Sequence, residues 1–355
     1  MNTSLLICTQ KVDAQDQVLG FFVRWIEQLA PQFQRVTIIC LEQGEAALPR
    51  NCQVYSLGKE RGKRSSLVYA IRFLRLILTG RVSYDAVFVH MNQEYVLLAG
   101  WWWRLFGKRI LLWRNHPSGS FWTKLAAMLA HVVFYTSDQS YTARFSKAVR
   151  MPVGIQLPDQ TPTHDERPTF LSLGRLSPVK HVDTIVDAFA GAQLLVGASL
   201  RIVGDPIPRA IDHAYVECID SSVALATARG KVVVREPGVS PEVAQQLFGQ
   251  YTFFINATDP GSFDKTILEA AAQGCIPLVA QDIWRETEYT DLSEKLVFSL
   301  NEPKELSLHM AEAAEMTPAA RMALRKRLRG YVEINHGLAE LIRKLVAVIR
   351  NERSF

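Results

Sequence analysis

The stretch Thr169-Phe170-Leu171-Ser172-Leu173-Gly174-Arg175-Leu176-Ser177-Pro178-Val179-Lys180-His181 decides how the chain is read. Five strand-prone residues end at a glycine, a loop with two cations five residues apart follows, and a helical pattern begins at Asp183 and runs to Phe189. Strand, glycine-bearing loop and helix open a βαβ unit. A glycine at a strand end lets backbone approach a ligand closely, and Arg175 and Lys180 can grip a diphosphate from two sides. On their own these cations read first as solvated charges on a surface loop, so the pattern needs support from elsewhere.

Working outward, the same alternation continues downstream, with strands over 200–203, 232–234, 253–256 and 276–280 and helices over 212–228, 241–249 and 265–273. Upstream, strands are expected over 4–9, 36–41, 53–57, 86–90, 109–113 and 132–135, separated by helices over 18–30, 65–78, 95–106, 121–129 and 137–148. Alternating strands and helices argue for parallel sheets covered by helices. Between the halves lies Gln156-Leu157-Pro158-Asp159-Gln160-Thr161-Pro162-Thr163-His164-Asp165-Glu166-Arg167-Pro168, which has the composition of a linker. The tail from Pro318 to Arg350 reads as helical, its last helix crossing back onto the first half. The expectation is an α/β protein of two facing Rossmann-like domains with an interdomain cleft. An amino-terminal domain covers 1–156, with a helix at about 336–355 packed back on it, and a second domain covers 157–335.

Composition narrows the class. The 355 residues are 48% hydrophobic and 21% charged, with 20 Gly, 16 Pro and 5 Cys, which excludes disordered, collagen-like and disulfide-scaffold chains. The cysteines are scattered, with no C-x-x-C pair, as expected of reduced thiols in a cytoplasmic protein. The start, Met1 to Cys8, lacks the basic region and long apolar stretch of a signal peptide, and no apolar run approaches the roughly 20 residues needed to span a bilayer. The net charge of +5 hides an asymmetry: residues 1–156 carry nineteen Lys and Arg against nine Asp and Glu, the remainder twenty-one against twenty-six.

Support for a phosphate site comes after the strand at 253–256. There the chain reads Gly261-Ser262-Phe263-Asp264-Lys265-Thr266-Ile267-Leu268-Glu269-Ala270, then Gly274-Cys275-Ile276-Pro277. Gly261 and Ser262 open a helix whose free N–H groups and positive end suit phosphate oxygens. Glu269 sits inside an Ala-rich helix where an unpaired carboxylate is costly, so it faces water, a partner or a ligand hydroxyl pair.

These residues resemble glycosyltransferase family 4, the retaining sugar-nucleotide transferases of the GT-B fold, and among them a bacterial surface-polysaccharide type. The resemblance rests on Gly174 to Lys180, Ile202-Val203-Gly204-Asp205, Gly238-Val239-Ser240-Pro241-Glu242, and Ile267-Leu268-Glu269-Ala270 followed by Gly274 to Pro277, in the family's order. Thr9 to Asp13, Val18 to Phe22 and Val89 to Asn92 extend it into the first half. It implies that Arg175 and Lys180 act on the donor diphosphate and that Glu269 takes the ribose hydroxyls. Gly238 and Val239 would lie near the base, Gly20 would let the first domain close over the diphosphate, and His116 would face the donor sugar. The segment Gly261, Ser262, Phe263, Asp264, Lys265 completes the donor site. The family's second glutamate, eight positions before Glu269, is replaced by Gly261; Asp264 is the nearest carboxylate and serves either the sugar or the helix dipole.

His116 follows the strand at 109–113, and His90 and Asn92 end another, so all three are expected at the ligand-bearing rim of the sheet, the latter two on the acceptor side. For His90 and Asn92 a plain strand-end turn reads as well. The segment Lys59 to Arg81 holds seven cations against Glu60, interleaved with apolar residues. It suits an anionic membrane surface and, equally, a sheet-packed helix with a solvated basic face. The three tryptophans Trp101 to Trp103 cannot all face one core if helical.

The expected function is hexosyl transfer, with retention, from a nucleotide-diphosphate sugar such as a UDP- or GDP-sugar to a hydroxyl of a glycan or lipid-linked acceptor. No cofactor and no metal are expected, since the cations and the helix end carry the charge. No nucleic-acid partner is expected, and the localisation is cytoplasmic, extending to peripheral attachment at the inner face of the plasma membrane. The alternatives are a non-catalytic membrane-surface or scaffold subunit with a degenerate donor site, and a GT-B sugar-nucleotide epimerase. A dehydrogenase is disfavoured because no G-x-G-x-x-G follows the first strand.

Overall fold

A computed structural model describes residues 3–16, 18–62, 64–80, 83–159, 167–194, 196–206, 210–259, 264–284 and 289–352. The chain divides into two compact units, Met1–Gly154 with Leu338–Phe355, and Ile155–Gly337.

The first unit is built on seven parallel strands: β1 (Ser4–Val12), β2 (Arg35–Gln43), β3 (Cys52–Ser56), β4 (Ala86–His90), β5 (Arg109–Trp113), β6 (Val132–Tyr135) and β7 (Ala148–Arg150), in the order β3-β2-β1-β4-β5-β6-β7. The two-residue period of β1 sets the layers. Leu5 and Ile7 point to α1 (Phe21–Leu29) and α12 (Leu338–Arg350). Leu6 and Cys8 point to α2 (Ser66–Leu78), α3 (Glu94–Leu105) and α4 (Phe121–Leu129). Helix α1 begins later than its apolar pattern suggests because the Asp16 carboxylate accepts the N–H groups of Val18 and Leu19, at 2.9 and 2.8 Å, and fixes a turn.

Residues 137–148 do not form the expected helix. They make a short 3-10 turn at Tyr141–Arg144 and then the edge strand β7. Asn115 Oδ1 accepts from the Thr136 and Ser137 N–H groups, both at 3.2 Å, and from Ser140 Oγ at 2.8 Å. Thr142 Oγ1 donates to the Arg114 carbonyl at 2.6 Å. These side-chain bonds hold the polar segment in a turn that competes with helix formation.

The second unit has five parallel strands, β8 (Thr169–Leu173), β9 (Ser199–Val203), β10 (Val232–Glu236), β11 (Phe253–Asn256) and β12 (Ile276–Val279), ordered β10-β9-β8-β11-β12. Strand order reverses between β8 and β11, the place where open α/β sheets bind ligands beyond the strands' carboxyl ends. Its helices are α5 (Val182–Gly191), α6 (Ala210–Ala228), α7 (Pro241–Gln250), α8 (Thr266–Ala272), α9 (Thr290–Leu296), α10 (Pro303–Glu315) and α11 (Pro318–His336). Helix α8 is short and Ala-rich because it is covered on several sides: Ile267, Leu268, Ala270, Ala271 and Ala272 are all buried, among β11, β12, α7 and α11. The helical pattern over 318–350 is broken at Gly337, whose backbone is extended; a side chain there would put Cβ 2.6 Å from the Glu333 carbonyl oxygen. No helix among the described residues is long and apolar enough to cross a membrane.

Candidate functional site

In the second unit, the carboxyl ends of β8, β9 and β10 are tied together by backbone. Gly174 N–H donates to the Val203 carbonyl at 3.0 Å, Leu176 N–H to that of Asp205 at 3.0 Å, and Gly204 N–H to that of Glu236 at 3.1 Å. The approach is close enough to require glycine: a Cβ on Gly204 would lie 1.8 Å from the Gly174 oxygen. Gly174 itself, at φ 150°, faces open space. A hollow at this strand reversal is lined by Gly174, Arg175, Lys180, Asn256 and Thr258.

Arg175 is exposed, with no ion-pair partner among the described residues. Lys180 ends the 3-10 turn Pro178–Lys180 and is partly buried. Its ammonium pairs with the Asp264 carboxylate and donates to Thr258 Oγ1 at 3.0 Å. Asp264 Oδ2 also accepts from Asn256 Nδ2 at 2.9 Å and Thr258 Oγ1 at 3.3 Å, while Oδ1 accepts from the Thr266 N–H at 3.1 Å and Oγ1 at 2.7 Å. Burial alone would raise the Asp264 carboxyl; the Lys180 charge and these hydrogen bonds outweigh it and hold the pKa at about 2. With both oxygens engaged by protein groups, Asp264 works as an anchor for Lys180 and for the start of α8, and its lone pairs are already used on the chain itself.

One turn into α8, Glu269 is largely buried and pairs with Lys265 at 3.1 Å. Burial pushes its carboxyl above the ordinary range, against the pull of Lys265. Gly238, past the end of β10, lies against Asp205, whose Oδ2 would be 2.7 Å from an added Cβ; Val239 beside it is half-buried. The segment Gly261, Ser262 and Phe263 lies outside the described residues.

Three features here escape a reading of spacing alone. Asn256 and Thr258 hold Asp264, and His181, in a left-handed backbone conformation (φ 46°), places Nε2 2.7 Å from Asp259 Oδ1. Asn256 ends β11 at the strand reversal, and that position was the available signal.

In the first unit, His116 is exposed beyond β5. Its Nδ1 accepts the Ser118 N–H at 3.0 Å, leaving Nε2 as the free ring nitrogen. His90 is a correction: it ends β4, yet it is 1% exposed and stacks on Phe22 with ring centroids 3.9 Å apart, so it belongs to the core rather than to an open rim. Burial pushes its pKa down to about 3. Asn92 is half-buried in the turn after β4, where its carbonyl accepts the Tyr95 N–H at 3.3 Å. Gly20 precedes α1, and a Cβ there would lie 2.6 Å from the Asp16 carbonyl oxygen, so glycine is required by the turn itself.

No protein-family model matches the chain, and no curated protein matches its sequence. Solved structures do. HepE of Anabaena in complex with UDP has a TM-score of 0.73 at 15% identity, covering 98% of this chain and 100% of that one. A glycosyltransferase from Rickettsia africae gives 0.72 at 15% identity over all of both chains. Sucrose-phosphate synthase from Thermosynechococcus elongatus gives 0.71 at 17% identity, covering 98% of each. Their likeness over nearly the whole length, with the two parallel sheets described above, shows that the chain has the two-domain α/β fold of GT-B glycosyltransferases.

Proposed function

We propose that the protein transfers a hexosyl unit from a nucleotide-diphosphate sugar to a hydroxyl of a glycan or lipid-linked acceptor, with retention at the anomeric carbon, as a family 4 enzyme of surface-polysaccharide synthesis. The observation that carries this reading is the fixed ammonium of Lys180 beside the exposed Arg175, at the strand reversal of the second sheet and next to the open backbone of Gly174. Two cations there suit the charge that grows on a departing diphosphate. The likeness to HepE, solved with UDP, points the same way and favours a UDP-sugar.

In this reading Glu269 accepts the ribose hydroxyls, Gly238 and Val239 border the base, and the segment from Gly261 to Lys265 completes the donor site. The resemblance assigns the donor sugar to His116, whose Nε2 is free to accept or donate a hydrogen bond. The leaving diphosphate takes the acceptor proton on the face it departs from, so no protein nucleophile is required. The charge supplied by Arg175 and Lys180 makes a metal unnecessary; activity is expected to survive EDTA. The acceptor side is assigned to the first unit, held in the cytoplasm at the inner face of the plasma membrane through the basic segment 59–81.

Calorimetry with UDP, GDP and ADP tests the donor site first. Binding of one nucleotide diphosphate, weakened about tenfold or more in Arg175→Ala, is the expected result. Failure of all three to bind would remove the reading and leave a scaffold subunit. Release of free epimerised sugar from the bound donor without any acceptor would make the protein an epimerase instead.

A further inference from the structure

We infer that the outer surface of the α2–α3–α4 layer is a docking surface for an anionic lipid bilayer. This names the surface for the peripheral attachment proposed above and rests on no step of the transfer reaction. The three helices cover one face of the first sheet, with α3 packed between α2 and α4. Their inner sides are satisfied: Phe73 of α2, Trp103 of α3 and Ala126 of α4 are buried against the strands. Their outer sides are apolar as well. On α3, Trp101 and Leu105, one turn apart, are 70% and 77% exposed. On α4, Phe121 and Trp122 are 70% and 58% exposed, and on α2, Leu67 and Ile71 are 68% and 57% exposed.

An apolar face of this breadth, formed by side chains that add nothing to the core, calls for a cover. Charge and residue type say which. Helices α2 and α4 contain no acid, and α3 contains one, Glu94 at its first position. Exposed cations stand among the apolar side chains: Arg75 on α2 and Lys124 on α4. Tryptophan with Lys and Arg is the composition that settles at the boundary between acyl chains and anionic headgroups. The surface is also preformed. Arg104 Nε of α3 donates to the Leu129 carbonyl at 2.7 Å, and Lys147 Nζ donates to that of Ala130 at 2.7 Å, so the carbonyls at the end of α4 are held by two cations, one of them on α3. The basic segment at 59–81 is then one flank of a larger surface whose aromatic part lies on α3 and α4.

The test is co-sedimentation of the full chain, without sugar nucleotide, with vesicles of phosphatidylcholine alone and of phosphatidylcholine with phosphatidylglycerol. The protein is expected to pellet with the anionic vesicles, with a blue shift of tryptophan emission. The pair Trp101→Ser and Trp122→Ser should abolish both signals. The pair Arg75→Gln and Lys124→Gln should weaken binding roughly thirtyfold, as two near-surface cations predict. Met322→Ser, an equally exposed apolar side chain on α11, should change nothing. UDP binding measured on each variant separates loss of this surface from loss of the fold or of the donor site. The inference is overturned if the wild type stays in the supernatant with both vesicles, if the tryptophan pair binds like the wild type, or if the wild type is a dimer that the tryptophan pair converts to monomer, which would make the face a contact between copies.

Discussion

The two sheets end their central strands in opposite ways. At the end of β11 the second unit holds a partly buried cation and a carboxylate with their hydrogen-bond partners, Lys180 and Asp264 with Asn256, Thr258 and Thr266. At the end of β4 the first unit buries a neutral imidazole, His90, flat against Phe22 and edge-on to Trp25. One strand end stores charge and orients it; the other excludes charge and keeps aromatic packing up to the rim. A charge held by protein dipoles needs no reorganisation when an anion arrives, which is what stabilising a leaving diphosphate requires.

The largest effect that would break this contrast is on Lys180. Lys180→Ala is expected to lower transfer about a thousandfold, the scale of losing one group that stabilises developing negative charge. Steady-state rates close to wild type would show that the ammonium is only a fold element. Asp264→Asn sharpens the same point by separating charge from position. It removes the counter-charge of a partly buried ammonium, and urea unfolding should show a loss of about 2 kcal/mol, below the figure for a fully buried pair because Lys180 retains some contact with water. The local potential becomes more positive, so nucleotide diphosphate should bind at least as tightly while turnover falls. A parallel fall in affinity and turnover would argue instead that Asp264 touches the ligand.

What is legible along the chain and what is not follows from these same residues. Gly174, Arg175 and Lys180 lie on one short loop after a strand, so their neighbourhood is local and spacing reports it. Asp264 becomes the partner of Lys180 only because β8 and β11 are adjacent in the sheet, and no pattern along the chain contains that pairing. The alternation of strands and helices, and with it the fold class, is readable because each strand needs a buried face. The turn at 137–148 is not, because it depends on Asn115, some twenty residues earlier, capturing backbone groups with its side chain. Helices α9 and α10 show no clear pattern along the chain for a different reason: their polar faces obscure an apolar side as small as Leu292 and Leu296, or Leu306 and Met310. His90 misled because a strand end predicts a rim, whereas the rings of Phe22, Trp25 and Phe88 carry the core past it.

His90 also provides the most selective prediction. Its pKa is about 3 in the folded chain against 6.5 for the free side chain, so between these values the unfolded chain binds the proton and the folded chain does not. Stability contributed by the neutral ring is therefore complete above pH 6.5 and declines as pH falls through that value toward 3. From pH 7 to pH 5 the expected loss is about 2 kcal/mol, since each pH unit below 6.5 is worth about 1.4 kcal/mol. Asp264 does not contribute in this window, because its folded pKa of about 2 and its ordinary value of 3.8 both lie below it. His90→Phe keeps a flat ring against Phe22 and removes the titration. Urea unfolding of the two proteins at pH 7 and pH 5 should then show a pH-dependent difference in the wild type that is reduced by about 2 kcal/mol in the variant. An equal slope in both would mean that water reaches this imidazole and that the first sheet's strand end is as polar as the second's.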